Sequence, residues 1–344
     1  MNGLSLRFVW PHWGSAARAK WTRAGVGTLA VAVIGCEGAQ SALDPAGEQA
    51  EHLARVFWWM TGGSLVIWLL VMGIALYAAY TPERQDLTGA RRLIVWGGVI
   101  IPTVVLTLVL CFGLALIPPF VDPTTPSQLT VHVTGEQYWW RVKYPREGGA
   151  AVELANEIRL PVGEEVDFLL DSVDVIHSFW IPALGGKVDM IPGRQTRLRL
   201  SPRRTGTFRG VCAEYCGASH AWMAFSVVVQ ERADFDRWLA AQAAPARTPS
   251  DPLTREGSDV LLANGCGACH TLRGTPADGV VGPDLTHVGG RASLAAGVLP
   301  NHAADFGRWI AETDRLKPGV HMPAFGMLAA PELRALAAYL ESLE

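Results

Sequence analysis

The stretch Cys212-Ala-Glu-Tyr-Cys216-Gly-Ala-Ser-His220-Ala-Trp-Met223 packs two thiols, an imidazole and a thioether into one short segment. Soft sulfur and borderline imidazole donors together select copper or zinc over hard cations. A structural zinc site would want four Cys or His ligands and no Met, so Met223 tilts the choice to copper, for which thioether is a weak axial ligand. A Cys212–Cys216 disulfide is the alternative in an oxidising compartment. Outward from this segment, residues 127–230 carry short alternating runs such as 129–134 and 196–200, broken by Pro and Gly. Period-two alternation with turn residues at this spacing predicts an all-β antiparallel sandwich or barrel.

Upstream the pattern changes. Residues 56–80 and 93–118 contain no charged side chain, and each is long enough to cross a hydrocarbon core of ~30 Å. They are expected to form a two-helix transmembrane hairpin within residues 36–120, with a kink at Gly97-Gly98 or Pro102. Arg84, Arg91 and Arg92 lie in or beside the connecting loop, so the positive-inside rule puts that loop in the cytoplasm and everything after residue 120 outside. Cys111 reads as a small apolar packing residue. Before the hairpin, Arg7, Arg18, Lys20 and Arg23 precede an uncharged run that ends Val33-Ile34-Gly35-Cys36. Residues 1–35 read as a secretory signal, with a first membrane helix as the alternative; about 12 apolar residues are short for a span.

Downstream, residues 241–252 are rich in Ala and Pro and read as a semi-rigid linker after a domain at 121–240. In the remaining domain, 253–344, Cys266-Gly-Ala-Cys269-His270 is the C-x-x-C-H motif of covalent haem c attachment, with the thiols as thioethers and His270 as the proximal ligand. A C-x-x-C pair can also be redox-active or bind zinc, but no second pair is present to complete a zinc site.

Three segments now carry a family resemblance. The 212–223 stretch resembles the copper A loop of cytochrome c oxidase subunit II. Asp174-Val-Ile-His177-Ser-Phe-Trp-Ile-Pro182 matches the segment with that family's other histidine, and Pro192-Gly193-Arg194 falls where the family has it. The resemblance implies a cupredoxin-like sandwich holding a binuclear copper A centre. In it Cys212 and Cys216 bridge two coppers, His177 with Met223 completes one, and His220 with the Glu214 carbonyl completes the other. It further implies that the Glu214 carboxylate approaches a magnesium ion at the interface with the catalytic subunit. Gly135-Glu-Gln-Tyr138-Trp139-Trp140 matches the family's aromatic stretch below the copper, the candidate point at which electrons come in, but Tyr138 stands where the family usually has Trp. Val95 stands seven residues before Pro102, where the family often has Glu at the start of a proton path. Val-x-Gly-Cys36 resembles a bacterial lipoprotein cleavage box, which would make Cys36 the lipid-bearing residue.

The C-terminal domain resembles an all-α class I cytochrome c. Gly282-Pro-Asp-Leu-Thr-His-Val-Gly289 matches the loop whose Pro packs by the proximal histidine, and His321-Met322-Pro-Ala-Phe325 matches the segment presenting the axial Met. Met322 is the expected sixth ligand, in keeping with Met/His ligation in cytochromes c, with Met327, His321 and His287 as alternatives.

Composition agrees with a multidomain membrane protein. The 344 residues carry 29 Lys and Arg against 32 Asp and Glu, a net charge of −3, and only 18% are charged. That balance excludes a nucleic-acid binder resting on bulk positive charge. Two close cysteine pairs and two singles suit ligands better than a disulfide framework. What the resemblance implies is the function of subunit II of a bacterial respiratory oxidase, multi-pass in the plasma membrane. Electrons would pass from a cytochrome c or other donor through haem c and copper A to the catalytic subunit, which reduces oxygen to water and pumps protons. Other membrane subunits are expected partners. A membrane-bound copper and haem electron carrier outside any oxidase is the rival, and a nitrous oxide reductase would need a second, His-rich copper cluster.

Overall fold

The protein is described from a computed structural model, over residues 37–81, 87–116, 127–146 and 148–344. The expected signal segment, Cys36, Arg84 and residues 117–126 lie outside the described residues. Helix α1 (Glu48–Tyr80) and a second rod made of α2 (Leu87–Val95), a π turn (Trp96–Ile100) and α3 (Ile101–Leu116) are the two apolar helices. Within Glu48–Tyr80 and Gly89–Ala115, 18-residue windows reach mean hydropathies of 2.0 and 2.5 and are uncovered by protein. The irregularity falls just before Pro102. The Ile101 N–H bonds back to the Trp96 carbonyl, five residues earlier. A proline ring clashes with the carbonyl four residues before it and supplies no N–H, and one widened turn relieves both.

Helix α1 starts eight residues before the uncharged run expected to span the membrane. Its first turns belong to the soluble domain: Gln49, Ala50 and Ala54 are buried. The Gln49 amide oxygen accepts from Ser201 N at 3.0 Å, Ala50 N–H donates to the Leu184 carbonyl at 3.2 Å, and Ala46 N–H to the Ala183 carbonyl at 2.7 Å. The membrane helix is thus a direct continuation of a segment fixed to the sandwich.

The sandwich has two five-stranded sheets. One has the order β3 (Val152–Ala155), β2 (Trp139–Tyr144), β1 (Leu129–Glu136), β5 (Val166–Ser172), β8 (Thr196–Leu200). The other runs β4 (Glu157–Pro161), β10 (Ala224–Gln230), β9 (Gly206–Cys212), β6 (His177–Trp180), β7 (Val188–Met190). The sequence alternation becomes burial: Val131 and Val133 of β1 and Trp140, Val142 and Tyr144 of β2 face inward. The pairings of β1 with β5 and of β4 with β10 are parallel, so the sandwich is mixed where an antiparallel one was expected. Trp140, Phe179 and Phe225 form the centre, with ring centroids 5.0–5.8 Å apart. Helix α4 (Arg232–Gln242) closes this domain by placing Phe235 and Trp238 against Tyr144.

Only a short connection separates α4 from α5 (Pro252–Ala263). Asp251 caps α5, accepting from Leu253 N at 2.9 Å and Thr254 N at 3.1 Å, with Pro252 opening the helix. Helices α5, α6 (Ala303–Ala311), α7 (Thr313–Leu316) and α8 (Ala330–Ser342) enclose a second core around Leu261, Phe306, Leu336 and Leu340. This helical domain rests on the sandwich through backbone-level contacts. Ala224 N–H bonds to the Ala296 carbonyl at 3.2 Å, Ala292 N–H to Glu157 Oε2 at 2.9 Å, and Arg141 Nη2 to the Val280 and Val281 carbonyls at 3.1 and 3.2 Å.

Candidate functional site

The end of the β4–β10–β9–β6–β7 sheet gathers the sulfur and imidazole groups. His177 opens β6, Cys212 ends β9, and Met223 immediately precedes β10. Register brings Phe179 opposite Cys212, so His177 and Cys212 emerge side by side from adjacent strands. The loop between β9 and β10 folds back through a short helical turn, His220–Trp222, and is closed by Cys212 N–H to the Met223 carbonyl at 3.0 Å and Ala213 N–H to the Ser178 carbonyl at 2.9 Å. Cys212 Sγ lies 3.8 Å from Cys216 Sγ, 3.8 Å from His177 Nδ1 and 3.2 Å from the Glu214 carbonyl. Cys216 Sγ lies 3.6 Å from His220 Nδ1 and 3.8 Å from Met223 Sδ. Ligand atoms of His177, Cys212 and Cys216 all fall within 4.8 Å of one another. All six residues expected from the sequence are therefore together, and Cys212 and Cys216 are free thiols.

The electrostatics favour one deprotonated thiol within the cysteine pair. Sharing one proton with Cys216, helped by the His177 ring and by the Glu214 and Ser178 backbone, holds Cys212 well below the ordinary thiol range against the opposing effect of burial. The same sharing, with burial, pushes Cys216 up. Behind the ligands, Asp174 Oδ1 meets His177 Nε2 at 2.8 Å and Asp174 Oδ2 accepts from Gln137 N at 2.6 Å. That bond directs His177 Nδ1 to the sulfurs, the familiar carboxylate support of a metal-binding imidazole. Burial would lower the His177 pKa, but Cys212 and Asp174 outweigh it and raise it. Gly135 lies under the imidazole: a Cβ there would stand 2.7 Å from His177 Cδ2. Of Asp174, Gln137 and Gly135, Asp174 alone carries a sequence signal, standing three residues before His177.

The second site is a cavity of about 300 Å³ lined by Cys266, Cys269, His270, Met322 and Phe325, among others. His270 Nδ1 donates to the Pro283 carbonyl at 2.8 Å, which leaves Nε2 as the free lone pair. Burial lowers the His270 pKa and keeps the ring neutral, as a ligand must be. Gly282 packs on this ring; a Cβ would stand 2.5 Å from His270 Cε1. Of the alternatives to Met322, Met327 is 78% exposed and outside the cavity lining, and His287 is occupied by the Glu344 and Ala244 carbonyls at 3.0 and 3.1 Å. His321 lines the cavity beside Met322.

Glu136, Gln137, Tyr138 and Trp139 of the sandwich also line this cavity. Tyr138 is buried and its hydroxyl accepts from Ala218 N at 3.0 Å; Gln137 Nε2 donates to the Cys216 carbonyl at 2.6 Å. Trp139 sits under the Arg141 guanidinium, 4.7 Å from the ring centroid. Trp140 is fully buried in the core, its indole N–H reaching the Met223 carbonyl at 3.4 Å. Among the described residues, the Glu214 carboxylate accepts from Tyr215 N at 3.3 Å, on an exposed part of the loop.

A cupredoxin-like sandwich with a soft-donor cluster, fused to a cytochrome c domain and to two membrane-length helices, defines a membrane-anchored electron-transfer protein. The family described as "Cytochrome C oxidase subunit II, periplasmic domain" matches residues 146–231, and "Cytochrome c" matches 254–344. Subunit 2 of the Alkalihalophilus pseudofirmus cytochrome c oxidase is 33% identical over 340 residues, 92% of this chain and 95% of that one. The corresponding subunit of Bacillus sp. is 32% identical over 279 residues, 76% of each chain. Among solved structures, the periplasmic domain of subunit II of Bradyrhizobium japonicum cytochrome oxidase is 32% identical, covering 34% of this chain and 95% of that one, with a TM-score of 0.33. The chain belongs to the cytochrome c oxidase subunit 2 family. It is an electron-transfer subunit of the oxidase, anchored in a membrane with its copper and haem domains outside.

Proposed function

We propose that this chain takes electrons from a cytochrome c or another external donor and delivers them to the catalytic subunit of a proton-pumping respiratory oxidase in a bacterial plasma membrane. His177, Cys212, the Glu214 carbonyl, Cys216, His220 and Met223 would hold a binuclear copper A centre. Cys266 and Cys269 would attach haem c, with His270 and Met322 as axial ligands. When bound, both groups supply one-electron carriage, and the paired thiolates let two coppers share one electron. The chain's own contribution is rigidity: a buried donor set on paired strands reorganises little when charge changes. The Glu214 carboxylate, exposed beside the donor loop, suits a magnesium site shared with the catalytic subunit.

The observation that carries the reading is the Gln137-Tyr138-Trp139 turn. One side of it lines the cavity of the cytochrome domain, and the other bonds directly to Cys216 and Ala218 of the donor loop. Tyr138 and Trp139 would therefore serve passage between the chain's own two domains, with Trp140 as the packing floor under the donor set. Metal and haem analysis of the purified complex tests this. Two coppers and one haem c per chain, co-isolation with a haem-rich membrane subunit and oxygen uptake are expected. A stable lone chain with copper and haem but no partner would favour a free-standing electron carrier, and absence of copper would overturn the reading.

A further inference from the structure

Lys317 is 1% exposed, and its ammonium donates to the Tyr138 carbonyl at 2.7 Å and the Ala295 carbonyl at 2.8 Å. Among the described residues no carboxylate pairs with it; both hydrogen-bonding partners are backbone carbonyls. Burying an ammonium without a counter-ion is expensive, and burial pushes its pKa down to about 7. A Met or Leu would fill the same volume at no such cost, so a function specific to the donor is the simplest reason for the lysine.

Its position supplies one. Lys317 stands five residues before Met322, on a segment that lines the cavity, and the Tyr138 carbonyl belongs to the sandwich turn that lines it too. The next residue repeats the connection: the Pro318 carbonyl accepts from Ser219 Oγ at 2.6 Å, and Ser219 is fully buried next to His220. Beyond Tyr138, the bonds continue through Ala218 and through Gln137 to Cys216 and Asp174. Two consecutive residues of the Met322 segment are thus tied to the sandwich, one to the Tyr138 turn and one to the donor loop.

We propose that Lys317 is an interdomain latch, a positioning residue that holds the Met322 segment against the Tyr138 turn and so keeps the two domains at one fixed separation for electron passage. This rests on the reading of the two sites given above. Lys317 touches neither expected donor set, and its effect is exerted through Tyr138 and Pro318.

The test uses the intact oxidase complex, comparing the wild type with Lys317→Met and with Ser219→Ala. Absorption spectra and copper and haem content establish that both centres are present; their absence from the wild type would overturn the reading of the sites and, with it, the latch that rests on that reading. With both centres present, Lys317→Met is expected to slow haem-to-copper transfer after flash reduction of the haem by tenfold or more. It should also broaden the copper–haem distance distribution seen by electron-spin relaxation, while reduction of the haem by a small artificial donor stays within twofold of wild type. Ser219→Ala should slow transfer less, and the double variant should add little to Lys317→Met, because one clasp is being opened twice. A Lys317→Met complex with wild-type transfer and an unbroadened distribution overturns the latch. Should that variant fail to assemble, Ser219→Ala decides, and an unchanged rate and distribution there overturns it equally.

Discussion

Asp174 shows how much of the copper-binding geometry rests on a single supporting side chain. One carboxylate oxygen fixes the tautomer of His177 and the other fixes the Gln137 backbone, whose side chain in turn holds the Cys216 carbonyl. Losing such a support typically lowers metal affinity by about 10–100-fold. Asp174→Ala is expected to do so here, read by chelator competition for copper, and an unchanged affinity would show that strand pairing alone orients His177. The cysteine, histidine and methionine positions themselves were legible because their chemistry is rare in combination. Asp174 was legible only as part of a matched segment, and Gln137 and Gly135 not at all, since a glutamine and a glycine acquire meaning only from what lies against them.

At the scale of elements, the sandwich owes part of its stability to a buried charge cluster on β5 and β8. Asp167 is 1% exposed; it accepts from Arg199 Nε at 2.7 Å and Nη2 at 2.8 Å, from Arg197, and from Ser127 N at 3.2 Å. Burial would raise the carboxyl pKa, but the Arg199, Arg197 and Ser127 bonds outweigh it and hold it far below the usual carboxylate range. A carboxyl depressed in the folded state binds fewer protons than in the unfolded chain as the pH falls through about 4, so the stabilisation is complete above that pH and lost progressively below it. Asp167→Asn, which removes the buried carboxylate that both Arg199 and Arg197 donate to, is expected to cost about 3–5 kcal/mol at neutral pH and to flatten the acid limb of stability. Thermal melts followed by circular dichroism across pH 3–7, a window on the order of the carboxylate range, would show it; wild-type and variant curves of equal acid slope would contradict it.

Helix α1 shows a different limit of sequence reading. Its membrane portion was legible from the uncharged run, but its start was not, because Gln49, Ala50 and Ala54 are polar or small and carry no apolar period. What makes them helical is the surface they meet, at Leu184 and Ser201. The second rod was the reverse case: Pro102 and the glycine pair announced an irregularity, and only the hydrogen bonding showed it to be a π turn with the helix continuing through.

For the whole molecule, the contact between the domains governs more than the chain joining them. The connection from Ala243 to Asp251 is itself pinned, Ala246 N–H bonding to the Arg273 carbonyl at 2.7 Å. Loop entropy is insensitive to length, about 0.6 kcal/mol per doubling. Inserting a short Gly/Ser segment after Thr248 is therefore expected to change haem-to-copper transfer by less than about threefold. A much larger fall, measured by flash reduction, would mean that tethering and not surface contact sets the arrangement.

By itself the sequence determined the order of apolar hairpin, sandwich and cytochrome domain, and which thiol, imidazole and thioether groups are present to be gathered, because hydrophobic period, span length and side-chain chemistry are local properties. Only the tertiary structure decided that the Tyr138 turn is shared between the two sites, that Lys317 and Ser219 clasp it, and that α1 grows out of the sandwich. Those contacts join residues far apart in the chain, and a hydrogen bond between a lysine and a distant backbone carbonyl leaves no pattern in either segment's sequence.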